Sequence, residues 1–383
     1  VIPARLRRTL AVGGILLSLV GVPWLALLGP GTAWPRWLTL AGTAATAAVL
    51  VAVPLLLVRG HGRARSDNAA RVGDVLLGVV WVLFGWSALG LLARVALAFA
   101  GVSGPTPARA VAAGVLVVAA GLLCWGFAEA RRVPRVRAAE ARLAGLGAGL
   151  DGLRLVAVSD THFGPLDRAR WSRRVVDRVN GLAPDLVCHL GDVADGQVDR
   201  RRAQAAPLAG VCAPLGRYFV TGNHEYFVDA PGWVRHLTEL GWRHLHNEHV
   251  LVERGGARLV LAGIDDPTGR RTVPGHGPDL AAALAGVAGT LPVVLLAHQP
   301  RQVVDAAAAG VDLQLSGHTH GGQIWPFHLL VRTDQPVLAG LSRHGRRTQL
   351  YTSRGTGFWG PPFRIWAPSE ITLITLRAET AAV

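Results

Sequence analysis

The hydrophobic pattern changes character near residue 150. Before it lie four nearly unbroken apolar stretches, Leu10–Leu28, Leu38–Val58, Val75–Leu92 and Ala110–Ala128. Each has about the 20 residues that a helix needs to cross a bilayer. None carries the polar stripe of a surface helix, so the pattern predicts four transmembrane helices within residues 1–130. Asp74 fits a start at the membrane interface, and Arg94 must snorkel or face another helix. Trp34, Trp37 and Trp125 suit interfacial positions, whereas Trp81 and Trp86 lie deeper and suit packing.

From Leu153 onward the apolar runs are short and alternate with helical spacing. Strands are expected at Leu153–Ser159, Asp185–Leu190, Tyr218–Val220, Pro292–Leu296 and Asp312–Leu315. Late strands are expected near 337–340, 349–353 and 371–376. Helices are expected over 167–182, 199–209, 231–241 and 303–309, and Gly255-Gly256 reads as a hairpin turn. This alternation predicts a layered α/β fold. Strands that are apolar throughout predict sheets covered on both faces. Residues 131–150, basic and then Ala/Gly-rich, read as a linker to a catalytic domain over 151–377.

Composition supports the membrane reading. Half of the 383 residues are hydrophobic and the mean hydropathy is +0.34. The chain has no Lys, so all 39 basic residues are Arg and the formal charge is +14. Residues 1–150 hold 15 Arg against four acids (Asp67, Asp74, Glu129, Glu140), while the remainder holds 24 Arg against 21 acids. The excess therefore sits beside the apolar stretches, as a topology signal, and no nucleic-acid partner is expected. Arg5, Arg7, Arg8, Arg59, Arg63, Arg65, Arg71, Arg131, Arg132, Arg135 and Arg137 flank alternate ends of the spans; the other two loops carry Arg36 and Arg109. This places both ends and the catalytic domain in the cytoplasm of a multi-pass cell-membrane protein. Arg7-Arg8-Thr9-Leu10 resembles a twin-arginine export signal, but three further apolar stretches argue against a simple cleaved signal. Cys124, Cys188 and Cys212 form no disulfide framework, and Cys124 and Cys188 are expected to be buried.

Five motifs follow apolar runs: Asp160-Thr161-His162, Gly191-Asp192-Val193-Ala194-Asp195, Gly222-Asn223-His224-Glu225, Ala297-His298 and Gly317-His318-Thr319-His320. One such residue alone is more often a turn, cap or buried hydrogen-bonding group. Five in series gather Asp160, His162, Asp192, Asn223, His224, His298, His318 and His320 at strand ends, on one sheet edge. Oxygen and imidazole donors without thiolate suit Mn, Fe, Zn or similar ions. Seven or eight ligands are too many for one ion and suit two, a geometry that serves phosphate-ester hydrolysis. The two-residue spacing of Asp160 and His162, repeated by His318 and His320, puts each pair on one side of an extended segment.

The motifs D-x-H, GDxxD, GNHE, a lone His and GHxH resemble those of the calcineurin-like metallophosphoesterases, in order and without departure, over about residues 150–377. The resemblance implies a β-sandwich flanked by helices, here preceded by four transmembrane helices. It also implies that Asp160, His162, Asp192 and His320 hold one ion, and that Asp192, Asn223, His298 and His318 hold the other. His224 would stabilise charge or protonate the leaving oxygen, with Glu225 orienting it. Asp195 would support the loop of Asp192 or serve as a helix cap. The implied reaction is in-line attack on phosphorus by hydroxide generated at the metals, with no covalent intermediate.

Thr348–Trp366 and the GHTHGGQIWPF segment resemble a bacterial membrane-associated subgroup and the animal transmembrane proteins with a metallophosphoesterase domain. Arg354 is a candidate phosphate clamp or a surface ion pair. Phe358, Trp359, Phe363 and Trp366 are candidates to line a groove for a lipid tail or to cap the core. The expected function is a membrane-anchored two-metal phosphohydrolase. It is read as a phosphodiesterase or pyrophosphatase acting on a lipid-linked or nucleotide phosphoester, with manganese first among Mn, Zn, Fe and Mg. The alternative is a non-catalytic membrane sensor or scaffold that keeps the fold; intact Asn223, His224 and His298 weigh against it.

Overall fold

A computed structural model describes residues 4–62 and 65–379. Arg63, counted above in a basic loop, lies outside them, and the side chains of Arg5 and Arg8 are not described. The chain divides into two units, one of residues 1–128 with 360–365 and one of residues 129–359 with 366–383.

The first unit is built on the four expected helices, α1 (Ala4–Leu28), α2 (Arg36–His61), α3 (Asp67–Phe99) and α4 (Pro105–Arg131). All four are long and apolar enough to cross a membrane. Leu19, Val20 and Val80 form a small core with Val49, Leu50, Trp81 and Phe84. Several polar side chains find partners within the unit, as hydrocarbon offers none. Asp74 is buried on α3 and meets His61 Nε2 at 2.9 Å. Arg109 donates to the carbonyls of Thr32 and Ala33 and stacks over Trp34 at 4.8 Å. Arg94 lies against Gly31 in the connection after α1. Cys124 is exposed on α4, not buried as expected. Phe363 packs here, against Gly78 and 6.0 Å from the Phe127 ring.

The second unit is a sandwich of two six-stranded mixed sheets. The first contains β1 (Arg135–Leu143), β2 (Arg154–Val158), β3 (Leu186–His189), β4 (Arg217–Phe219), β5 (Arg243–His244) and β12 (Glu370–Ala378), in the order β1-β12-β2-β3-β4-β5. The second contains β6 (Glu248–Arg254), β7 (Ala257–Gly263), β8 (Val293–Leu296), β9 (Leu313–Ser316), β10 (Gly340–His344) and β11 (Thr348–Thr352), in the order β10-β11-β9-β8-β7-β6. Leu155, Ala157, Leu186 and Cys188 face Leu261, Leu296, Leu313 and Leu315 across the central core. On the outer side, Val156, Val158 and Val187 pack on α5 (Ala169–Asn180) and on Trp233 of α8 (Ala230–Glu239). Both faces of the strands are covered, as their apolar runs require. Between these helices lie α6 (Val198–Ala205) and α7 (Asn223–Val228).

Two expectations are corrected here. Residues 131–150 are not a linker, because Arg135–Leu143 forms β1, paired in parallel with β12 over nine residues from Arg135↔Glu370 to Leu143↔Ala378. The strand is anchored at its start by buried Glu129, which accepts from Arg132 and Arg135, and by Trp171, whose indole donates to the Arg132 carbonyl at 3.0 Å. The second unit accordingly begins at Glu129, not at 151.

Candidate metal centre

The parallel strands β2, β3, β4, β8 and β9 end on one rim of the sandwich, and each delivers one motif there. Beyond β2, β3 and β9 the chain turns in the left-handed region: φ is +53° at Asp160, +42° at His162, +54° at Asp192, +71° at His318 and +51° at His320. Such backbone costs about 1–3 kcal/mol per residue and persists only where surrounding contacts impose it. The paired spacing of Asp160/His162 and His318/His320 therefore does not work through an extended segment, as the sequence suggested. Left-handed turns aim both members of each pair.

The expected ligands converge. Asp160, His162 and His320 form one group and Asp192, His298 and His318 another, the ligand atoms in each lying within 4.8 Å of one another. His162 Nε2 is 3.0 Å from His320 Nε2 and 3.7 Å from Asp192 Oδ2. His298 Nε2 is 3.2 Å from both Asp192 Oδ2 and Asn223 Oδ1, and His318 Nδ1 is 2.9 Å from the same Asn223 oxygen. Asp160 accepts from the His318 amide at 3.0 Å, and Asp192 accepts from the His224 amide at 2.8 Å. Glycines in the motifs allow this crowding. A Cβ on Gly222 would fall 2.2 Å from Asp192 Oδ1, and one on Gly317 would fall 2.4 Å from Asp160 Oδ2.

The supporting residues exchange the roles expected of them. Glu225 does not orient His224. Its buried carboxylate accepts from the amides of Gly222 (2.8 Å), Asp192 (3.0 Å), Val193 (2.7 Å) and Ala194 (3.4 Å), and so shapes the loop that carries Asp192. Asp195 orients His224: one of its oxygens meets His224 Nδ1 at 2.7 Å and His162 Nδ1 at 2.8 Å. A residue that sequence reasoning missed is buried His189, the last of β3, whose Nε2 meets Thr161 Oγ1 at 3.2 Å between Asp160 and His162. The only signal was a His closing the apolar run LVCHL. Arg354 pairs with buried Glu370 at 3.6 Å. Phe358 is buried beneath Arg168, while Trp359 and Trp366 are exposed.

The electrostatics mark a place for cations. Burial works against the Asp192 charge, but His298 and His224 outweigh it and hold the carboxyl well below its usual range. Burial also disfavours imidazolium at His298, yet Asp192 and Asp160 raise its pKa well above the ordinary value. At His224 the same contest, won by Asp192 and Asp195, raises the pKa to about 9. Burial lowers His318 to about 3, with His298 adding to the effect, so His318 keeps a lone pair. Burial raises Glu225 to about 7, helped by the Asp192 charge. The partners select the nitrogen that faces the centre: His298 Nδ1 donates to the Leu190 carbonyl at 2.7 Å, so Nε2 is the atom on which a metal would replace the proton, and Asp195 does the same for His162. Buried carboxylates and convergent imidazole lone pairs fit two divalent ions.

A family profile for calcineurin-like phosphoesterases matches residues 153–322. The transmembrane protein with metallophosphoesterase domain of Danio rerio is 42% identical over 269 residues, covering 68% of this chain and 62% of that protein. Its namesake in Bos taurus is 37% identical over 282 residues, covering 71% and 62%. The chain thus spans about three fifths of the length of these two relatives. An uncharacterized metallophosphoesterase of Aquifex aeolicus is 33% identical over 235 residues, covering 59% of this chain and 86% of the relative. The family match, whose range holds all five motifs, together with 33% identity to a relative of which the chain covers 86%, shows that the chain belongs to the calcineurin-like metallophosphoesterase family.

Proposed function

We propose that the protein is a membrane-anchored two-metal phosphohydrolase that cleaves a phosphodiester or pyrophosphate bond in a lipid-linked substrate. The observation that carries the hydrolytic reading is the convergence of two His/Asp groups beside His224. Asp160, His162, Asp192 and His320 would hold one ion, and Asp192, Asn223, His298 and His318 the other. Manganese is the first candidate, ahead of zinc, iron and magnesium. Bound there, the ions supply Lewis-acid charge and lower the pKa of water near phosphorus.

The chain's own residues do the rest. Asp195 fixes the ring of His224 through Nδ1, and the Asp192 and Asp195 charges favour its protonated form. His224 then donates to a phosphoryl oxygen or to the leaving oxygen. Glu225 holds the Asp192 loop in its strained shape.

The lipid-linked reading rests on aromatic rings beside the charged centre. Phe227 is 63% exposed with its ring 5.4 Å from His224, and Trp359 is 43% exposed with its ring 6.1 Å away. Phe327 lies 6.5 Å from Trp359. Exposed apolar surface at the mouth of a polar site suits an acyl or prenyl chain better than a free nucleotide. The arginine bias around the four helices supports a cytoplasmic catalytic unit. Cys212, exposed and free, reports the side directly. A membrane-impermeant maleimide should label it only after cells are permeabilised, and labelling of intact cells would reverse the topology.

The substrate class is tested with full-length protein in detergent, stripped of metal and reloaded with manganese. Bis-p-nitrophenyl phosphate should turn over faster than p-nitrophenyl phosphate. A prenyl pyrophosphate in mixed micelles should turn over faster than a soluble nucleotide diphosphate. Trp359→Ala should slow the micellar substrate and spare bis-p-nitrophenyl phosphate. Faster turnover of the monoester or of the nucleotide would overturn this reading.

A further inference from the structure

A second cluster of ligating side chains lies outside the centre, where the chain leaves β5 and β7. Asp265, fully buried just beyond β7, faces two imidazoles. Its Oδ1 is 2.9 Å from His246 Nδ1 and its Oδ2 is 3.4 Å from His276 Nδ1. The two rings are 4.6 Å apart between centroids, and the three ligand atoms lie within 4.8 Å of one another.

The backbone around this triplet is organised to hold it. The Gly277 amide donates to Asp265 Oδ2 at 3.1 Å. Asn247 accepts from the amides of Asp265 (3.2 Å) and Asp279 (3.0 Å) and donates to the Gly277 carbonyl at 2.8 Å. One asparagine thereby ties together the three segments that supply the ligands. The Tyr226 hydroxyl accepts from Thr221 Oγ1 at 3.1 Å and lies 3.0 Å from His276 Nδ1, which fixes that ring beside Asp265. The His246 side chain is 42% exposed, which gives access and an open position for water.

We infer that His246, Asp265 and His276 form a third metal site, for a single zinc-class divalent ion, distinct from the two-metal centre. Two imidazoles, one carboxylate and a water make the four-coordinate set that zinc favours. An ordinary hydrogen-bonded cluster would need only one histidine to neutralise Asp265, whereas this one presents two Nδ1 atoms to one buried carboxylate. The site also touches the catalytic rim. Tyr226 lies on α7 with Asn223 and His224, and Asp266, next to Asp265, accepts at 2.7 Å from Gln299, which follows His298. An ion here would brace both attachments.

The test is metal stoichiometry on untagged full-length protein in detergent, loaded with zinc, passed through gel filtration and assayed by elemental analysis. Wild type should retain one more zinc per chain than the double variant His246→Ala/His276→Ala. Should the double variant fail to fold, His246→Gln alters only the half-exposed ligand, and it should lose at least 10-fold in affinity for that one zinc. Asp192→Asn should disturb the centre and leave the third zinc in place. Equal zinc content in wild type and a folded double variant, or unchanged zinc affinity in His246→Gln, would overturn the inference and leave a plain His–Asp–His hydrogen-bond cluster.

Discussion

The two units use similar apolar residues to opposite ends. In the helical unit, Leu55, Val58 and Val117 point outward, at 64%, 71% and 72% exposure. In the catalytic unit, the Leu and Val residues of β2, β3, β8 and β9 are buried almost completely. Polar groups differ in the same way. Ser18, Thr43 and Thr46 bond back to carbonyls four residues earlier in their own helices, which is how a hydroxyl is satisfied where lipid offers no partner. In the sandwich, Thr161 reaches Val193, and Thr356 meets Ser159 across 197 positions. A helix in lipid can satisfy its polar atoms alone. The strand ends of the sandwich also draw on distant segments, and those distant contacts help to hold the left-handed ligands in place.

This contrast predicts that point changes in the rim are costly and that comparable changes in the helices are not. Glu225→Ala should be the most damaging. It strips acceptors from four amides and should cost on the order of 4 kcal/mol, since each orphaned buried donor costs about 1–3 kcal/mol; chemical denaturation measures it. Gly222→Ala should cost about 3 kcal/mol by overpacking, because its Cβ would press on Asp192, and zinc retention at the centre should fall with it. Asp195→Asn should fold but lower kcat about 10²-fold. His224 acts in its protonated form, and losing the Asp195 charge lowers its raised pKa. The alkaline limb of the pH–kcat profile should therefore move to lower pH. Gly121→Ala, with nothing within 4 Å of its Cβ, should change stability least, by up to about 1 kcal/mol in the stabilising direction. A loss at Gly121 as large as at Gly222 would erase the contrast.

The sequence was legible where a signal is local. Apolar length marked the four helices, and short apolar runs ending in Asp, Asn or His marked the strands that carry the ligands. It was silent where the deciding partner is remote. β1 has a linker's composition, and only its pairing with β12, some 230 residues later, makes it a strand. Its buried Ala141 and Leu143 are too few to show alternation. The exchanged roles of Asp195 and Glu225 were equally hidden. Both sit in the right motifs, but the partners that tell them apart, the His162 and His224 rings for Asp195 and the amides of the Asp192 loop for Glu225, lie in other segments of the chain or in turns the motifs do not announce. The expected lipid-facing aromatics split for a related reason. Phe358 and Phe363 found cores, while Trp359 and Trp366 did not.

The most direct test of the account is the dependence of bis-p-nitrophenyl phosphate hydrolysis on manganese, measured on metal-stripped full-length protein and on Asp192→Asn. Asp192 lies within 3.7 Å of ligand atoms from both groups, so it is the single side chain on which the centre depends most. Turnover should be absent without metal, return with manganese in wild type, and fall at least about 10²-fold in a folded Asp192→Asn protein. Hydrolysis that survives metal removal, or that Asp192→Asn leaves intact, would contradict the two-metal reading.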